Sequence, residues 1–110
     1  MIADASTKDP VSQAKAVELR QAGQSFAAIA AALGYHRAGE AQLAFLLGLR
    51  QLPSQDQLVV RQDETRRLDR LEKHLRARSN LSDAERQGRI KVLDDLRHAV
   101  MKDAEAREAS

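Results

Sequence analysis

The chain has 110 residues, enough for one modest domain or two very small ones. Charged side chains make up 31% and aromatic ones 3%, a mix that favours exposed helices over a large aromatic core. There is no cysteine, which excludes disulfides and thiolate metal sites. The net charge of +2 permits nucleic-acid binding without announcing it. Residues 1–54 carry five basic and four acidic side chains and residues 55–110 thirteen and twelve, too even a balance for a high-affinity monomeric DNA binder.

Residues 1–10, MIADASTKDP, read as a disordered leader closed by Pro10, without the basic and apolar parts of a signal peptide. No apolar run approaches the roughly 20 residues of a membrane span, so the protein is expected in the cytoplasm. Val11, Ala14, Val17 and Leu19 are spaced for a short amphipathic helix that Gly23 stops. Ser25 is a natural N-cap for a second helix, Phe26 to Leu33, ended by Gly34, where a left-handed backbone costs glycine least. A third helix runs from about Arg37 to Gln51 and stops before Pro53. Ala30 is small where two helices should cross, and Ile29 and Leu33 with Phe26 should close a core against Val17 and Leu19.

After Pro53 a charged helix begins, with Ser54 as cap and Gln57 reaching back in a capping box. It carries Leu68, Leu71 and Leu75 on one stripe. A second capping box, Ser82 with Glu85, opens the last helix, roughly 83–106, with Ile90, Leu93, Leu96 and Val100 on its stripe. No alternating, strand-like run and no repeat occurs. The expected fold is all-α: a three-helix helix-turn-helix head over 11–52, then a long antiparallel helical hairpin over 54–106.

The run KAVELRQAGQSFAAIAAALGY resembles the head of small phage helix-turn-helix proteins, especially terminase small subunits. The likeness covers about 30 residues, Lys15 to Arg37, and is shared more loosely with transposase and resolvase-type heads. It implies double-stranded DNA as a partner, a host-cell cytoplasmic setting, and a role in recognising phage DNA for packaging. It also implies a homo-oligomer, and a large ATP-consuming subunit as partner. The tail MKDAEAREAS would be the contact with that subunit, or a frayed end.

The third helix departs from that pattern. Base edges are read by amide and basic groups and phosphates by Arg and Lys, yet this helix carries Leu43, Leu46 and Leu47 between its polar positions. Those leucines read mainly as packing, which confines DNA contact to the first turn. Tyr35, His36, Arg37 and Gln42 are the candidate readers there, with Ser25 beside them and Lys15 and Arg20 as phosphate contacts. Glu40 would oppose phosphate unless it accepts from cytosine.

Two helices of about 23 residues span near 35 Å at 1.5 Å per residue, each with one apolar stripe. Because one stripe only partly covers the other, oligomerisation through Leu68, Leu71, Leu75, Ile90, Leu93, Leu96 and Val100 is expected, with simple intrachain core as the alternative. From Lys73 to Lys91 six basic residues face two acidic ones, a positive belt once repeated around an oligomer. Glu64 with Arg67 and Asp69 with Lys73 read as surface pairs.

No enzymatic chemistry is legible. His36, His74 and His98 lie far apart, Asp94 and Asp95 point about 100° apart on a helix, and no phosphate loop, nucleophile elbow or HExxH helix occurs. No cofactor is expected. A tethered set of weak heads gains affinity through effective concentration, which reconciles a leucine-rich third helix with DNA binding. The competing readings are a dimeric transcription regulator (repressor or antitoxin) and a protein-interaction adaptor without DNA binding.

Overall fold

A computed structural model describes residues 6–109, with side chains placed as far as Lys102. The protein is all-α, with no strand among the described residues. Its helices are α1 (Pro10–Gln21), α2 (Phe26–Leu33), α3 (Ala38–Gln51), α4 (Ser54–Ala77) and α5 (Asp83–Ala109). The chain divides into two compact units, Met1–Gln57 and Leu58–Ser110.

In the first unit the chain ends each helix with local chemistry. Asp9 caps α1 by accepting from the amides of Val11 and Ser12, and Pro10 takes the first helical position, where its missing N–H costs nothing. Within the expected leader, Asp9 is thus the cap of α1 and Pro10 its first residue, while residues 1–5 lie outside the described residues. Ser25 caps α2 through Ala28 N–H at 3.1 Å, and Gly34 ends it at φ 80°, both as the sequence implied.

Helix α3 packs chiefly against α1, and less against α2. Ala16, Ile29, Ala41, Ala44 and Phe45 are fully buried, and Leu49 nearly so. Ala30 is buried, and a second small residue, Gly48, marks a close approach of α3 to α1. A Cβ there would meet the Gln13 backbone carbonyl and lie 2.9 Å from Val17 Cγ2. Phe26, Leu19 and Leu33 are only half-buried; the centre of this core is Phe45, whose ring meets that of Phe26 at 5.6 Å between centroids and a 58° tilt. The apolar residues of α3 are thus largely core.

At the start of α4 the sequence expectation needs correcting. The helix already includes Ser54, which is its first residue and not the cap before it. The Gln57 amide instead turns back and donates to the carbonyls of Arg50 and Leu52, at 3.2 and 2.8 Å, satisfying acceptors left over at the end of α3.

In the second unit, side-chain bonds tie α5 to α4. Arg97 reaches Asp69 at 3.0 Å and Glu72 at 2.8 Å, Arg86 reaches the Leu75 carbonyl, and Arg61 donates to the Val100 carbonyl. The Ser82–Glu85 capping box is present in both directions, Glu85 N–H to Ser82 Oγ at 3.1 Å and Ser82 N–H to Glu85 Oε1 at 3.3 Å. These bonds hold the Glu85 carboxyl below its ordinary range. Leu68, Leu81, Ile90, Leu96 and Val100 are buried within the single chain. Four residues expected at an oligomer interface, Leu68, Ile90, Leu96 and Val100, are thereby core, because the two helices cover more of each other's stripe than their lengths suggested. Leu71 stays exposed, and Leu75 and Leu93 half-exposed.

Candidate nucleic-acid interface

Helix α3 starts without a bond from its N-cap side chain: Arg37 occupies that position in extended backbone. Among the amides of the first turn, Glu40 N–H reaches the Arg37 carbonyl at 3.1 Å. The uncapped start carries the positive end of the helix dipole, the usual seat of a phosphate. His36, Arg37, Ala38 and Gly39 are all exposed around it, and a Cβ on Gly39 would meet nothing within 4 Å, so a ligand could approach the backbone closely. Gln42 follows half-exposed, while Glu40 places a carboxylate at the margin. Along the same helix Leu43 is 47% exposed, and Arg50 stands exposed in the last turn.

The remaining expected contacts are placed differently. Lys15 is exposed on α1 and pairs with Glu18 at 3.2 Å. Arg20 is only 6% exposed: its guanidinium lies 3.9 Å over the Phe26 ring and donates to the Gln24 carbonyl at 3.1 Å. It serves the fold of the first unit and is not presented to a phosphate. The Ser25 hydroxyl is committed to the α2 amide it caps. Tyr35 is buried, and its hydroxyl makes no hydrogen bond among the described residues, so it does not offer itself to a base edge. Burial is the main cause that raises the tyrosine's pKa; the nearby Ser12 hydroxyl opposes it, and the Asp9 and Glu40 carboxylates add a lesser upward push. Of the seven DNA-contact candidates, the structure gathers His36, Arg37 and Gln42 at one helix end and leaves Lys15 exposed elsewhere.

The belt of cations near the α4–α5 turn is also partly consumed. Arg86 spends its guanidinium on the carbonyls of Leu75, Arg78 and Leu81 and on Asp83, closing the turn. Arg76 pairs with Glu72 at 2.8 Å and Lys91 with Asp95 at 3.1 Å. Asp69, expected with Lys73, is bound by Arg97. Arg97 also holds Glu72 and Asp94. Partial burial pulls its pKa down, but the surrounding carboxylates win and raise it. Nothing in the sequence marked Arg97 as the junction of three acids, because two of its partners lie on another helix.

Comparison with protein families, curated proteins and solved structures gives no match to this chain. Among the described residues no group of three His, Asp or Glu side chains could hold a metal ion, and no helix is long and apolar enough to cross a membrane.

Proposed function

We propose that this chain is a non-enzymatic DNA-binding protein that works as an oligomer. The first unit is a helix-turn-helix head, α2 and α3 with Gly34 in the turn, and α4 with α5 is a helical hairpin. The observation that carries the reading is the uncapped first turn of α3, with His36, Arg37 and an unobstructed Gly39 exposed on it. A DNA phosphate there would accept from the free amides while Arg37 supplies charge, and Gln42 could reach a base edge one turn on. One head with so few contacts binds weakly, so affinity comes from joining several. The likeness of Lys15–Arg37 to terminase small subunits adds the biological setting: recognition of phage DNA for packaging and its presentation to a large ATPase subunit.

The test is retention on a double-stranded DNA of mixed sequence, measured against salt. Arg37→Glu and Arg50→Glu change the net charge equally, but the 13 residues between them turn the helix about 220°, so the two sit on different sides of α3. Docking by the first turn is supported if Arg37→Glu lowers affinity several-fold more than Arg50→Glu. Equal retention of the wild type and both variants refutes it.

A second reading has its own observation. Ala27, Ala31 and Ala32 of α2 and Leu43 of α3 are exposed, and residues 1–57 carry five cations against five anions. A methyl-rich, neutral surface suits a protein partner better than phosphate. Wild-type protein that does not bind DNA even at low salt would favour this adaptor role.

A further inference from the structure

The second unit keeps an apolar groove that its own helices do not fill. Its floor is Leu71 and Leu75 of α4 with Val92 and Leu93 of α5, and its rim is His74, Arg78 and Arg89. The groove encloses about 320 Å3 and no acidic residue lines it. Val92 is 63% exposed and Leu71 43% exposed there, whereas Leu68, Ile90, Leu96 and Val100 of the same unit are buried. The rim decides what can enter. Two copies meeting groove to groove would bring Arg78 and Arg89 against their own counterparts, and like charges across an interface cost several kcal/mol. The occupant must be apolar and flanked by acid.

The chain carries such a patch on α4. Leu58 and Val59 are consecutive and more than half exposed, with Asp56 one turn before Val59 and Asp63, which Arg66 approaches at 3.5 Å on the exposed surface, one turn after it. Leu58 lies 13 residues before Leu71, which puts the two about 220° apart around α4. One molecule can therefore present patch and groove to different neighbours at once.

We propose that a second copy of this chain docks its Leu58–Val59 pair into the Leu71–Leu75–Val92–Leu93 groove, with Asp56 and Asp63 meeting the Arg78 and Arg89 rim. The contact is heterologous, one surface against a different one, so it repeats from copy to copy instead of closing at a dimer. It rests on the oligomeric reading above and gives that reading its surfaces, while the DNA-contacting residues take no part in it.

The experiment uses the full chain without DNA, with mass read by light scattering over a range of concentration. Wild type should exceed a dimer. Leu58→Glu with Val59→Glu removes the patch, and Val92→Lys adds a cation to the groove. These side chains are exposed, so both variants should keep wild-type helicity. Each alone should run at the single-chain mass of 12.2 kDa. Mixed in equal amounts they retain one intact pair of surfaces, and should form a dimer and nothing larger. A mixture that stays monomeric overturns the proposal, as does a monomeric wild type, or a variant that keeps the wild-type mass. Because no DNA is present, failure here is separable from failure of the Arg37 test.

Discussion

Gly48 of α3 lies directly against the backbone of Gln13 in α1, closer than any side chain would permit. A Cβ at position 48 would come within 2.8 Å of the Gln13 carbonyl carbon. Backbone cannot swing aside as the end of a long side chain can. The buried Gln13 is itself tethered, donating from Nε2 to the Thr7 carbonyl at 2.7 Å.

Gly48→Ala should therefore destabilise the first unit, although alanine is the better helix former. The propensity gain is about 1 kcal/mol, and overpacking costs about 1–3 kcal/mol, with the upper end expected against backbone. Thermal unfolding of the variant should begin several degrees lower. A rise in melting temperature would show that the helices separate freely and that the close crossing is not a constraint.

Arg86→Ala should loosen the α4–α5 turn. Three carbonyls near the end of α4 and the turn lose their donor, and charged hydrogen bonds of this kind contribute about 1.5–3 kcal/mol each before the partial return of water is counted. Lysine has one ammonium where arginine has a fork of donors, so Arg86→Lys should recover only part of the loss. Amide hydrogen exchange over residues 75–86 reads the effect, and protection unchanged in Arg86→Ala would contradict it.

Arg20→Met separates folding from DNA contact. It removes the stacking over Phe26 and the bond to Gln24, together about 1–3 kcal/mol, while keeping most of the apolar stem. Stability should fall, and DNA retention, measured well below the melting temperature, should stay within twofold of wild type. A large drop in retention by a folded variant would restore Arg20 as a phosphate contact.

Tyr35→Phe should cost little. The hydroxyl is buried without a hydrogen bond among the described residues, and removing such a group recovers the desolvation penalty it carries, about 1–3 kcal/mol at most. The expected outcome is unchanged or slightly higher stability, with DNA retention intact. A marked loss of stability would mean that the hydroxyl has a partner in solution.

The second unit should weaken in acid. The hydrogen bond from Arg76, then Arg97, holds the Glu72 carboxyl below its ordinary 4.5. The folded state thus binds this proton less readily than the unfolded chain. The contribution is complete above the unfolded value and is lost as pH falls through the lowered one. Melting temperature should decline on acidification below about pH 4.5, and Glu72→Gln should flatten that part of the curve. An identical acid slope in the variant would assign the effect to other carboxylates.

What the sequence determined by itself is the set of helices and most of their ends. Ser25, Gly34 and the Ser82–Glu85 pair act on amides and carbonyls three or four residues away, so spacing alone reveals them, whereas the Asp9 cap falls inside the expected leader. Where a boundary misled, at Ser54 and Gln57, the cause was a partner beyond that range: Gln57 turned to the carbonyls of Arg50 and Leu52. The candidate interface was legible to the same extent. His36, Arg37 and Gln42 follow from the position of the α3 start, but Arg20 and Tyr35 did not, since a polar residue's spacing cannot say whether its head group faces solvent or an aromatic ring. Only the tertiary structure decided that Gly48 sets the α1–α3 approach. It alone made Arg97 the junction of Asp69, Glu72 and Asp94, and divided one leucine stripe into a buried part and an open groove. Each of these depends on residues brought together from distant positions, and the energy of such a contact is fixed by the packing of the whole unit.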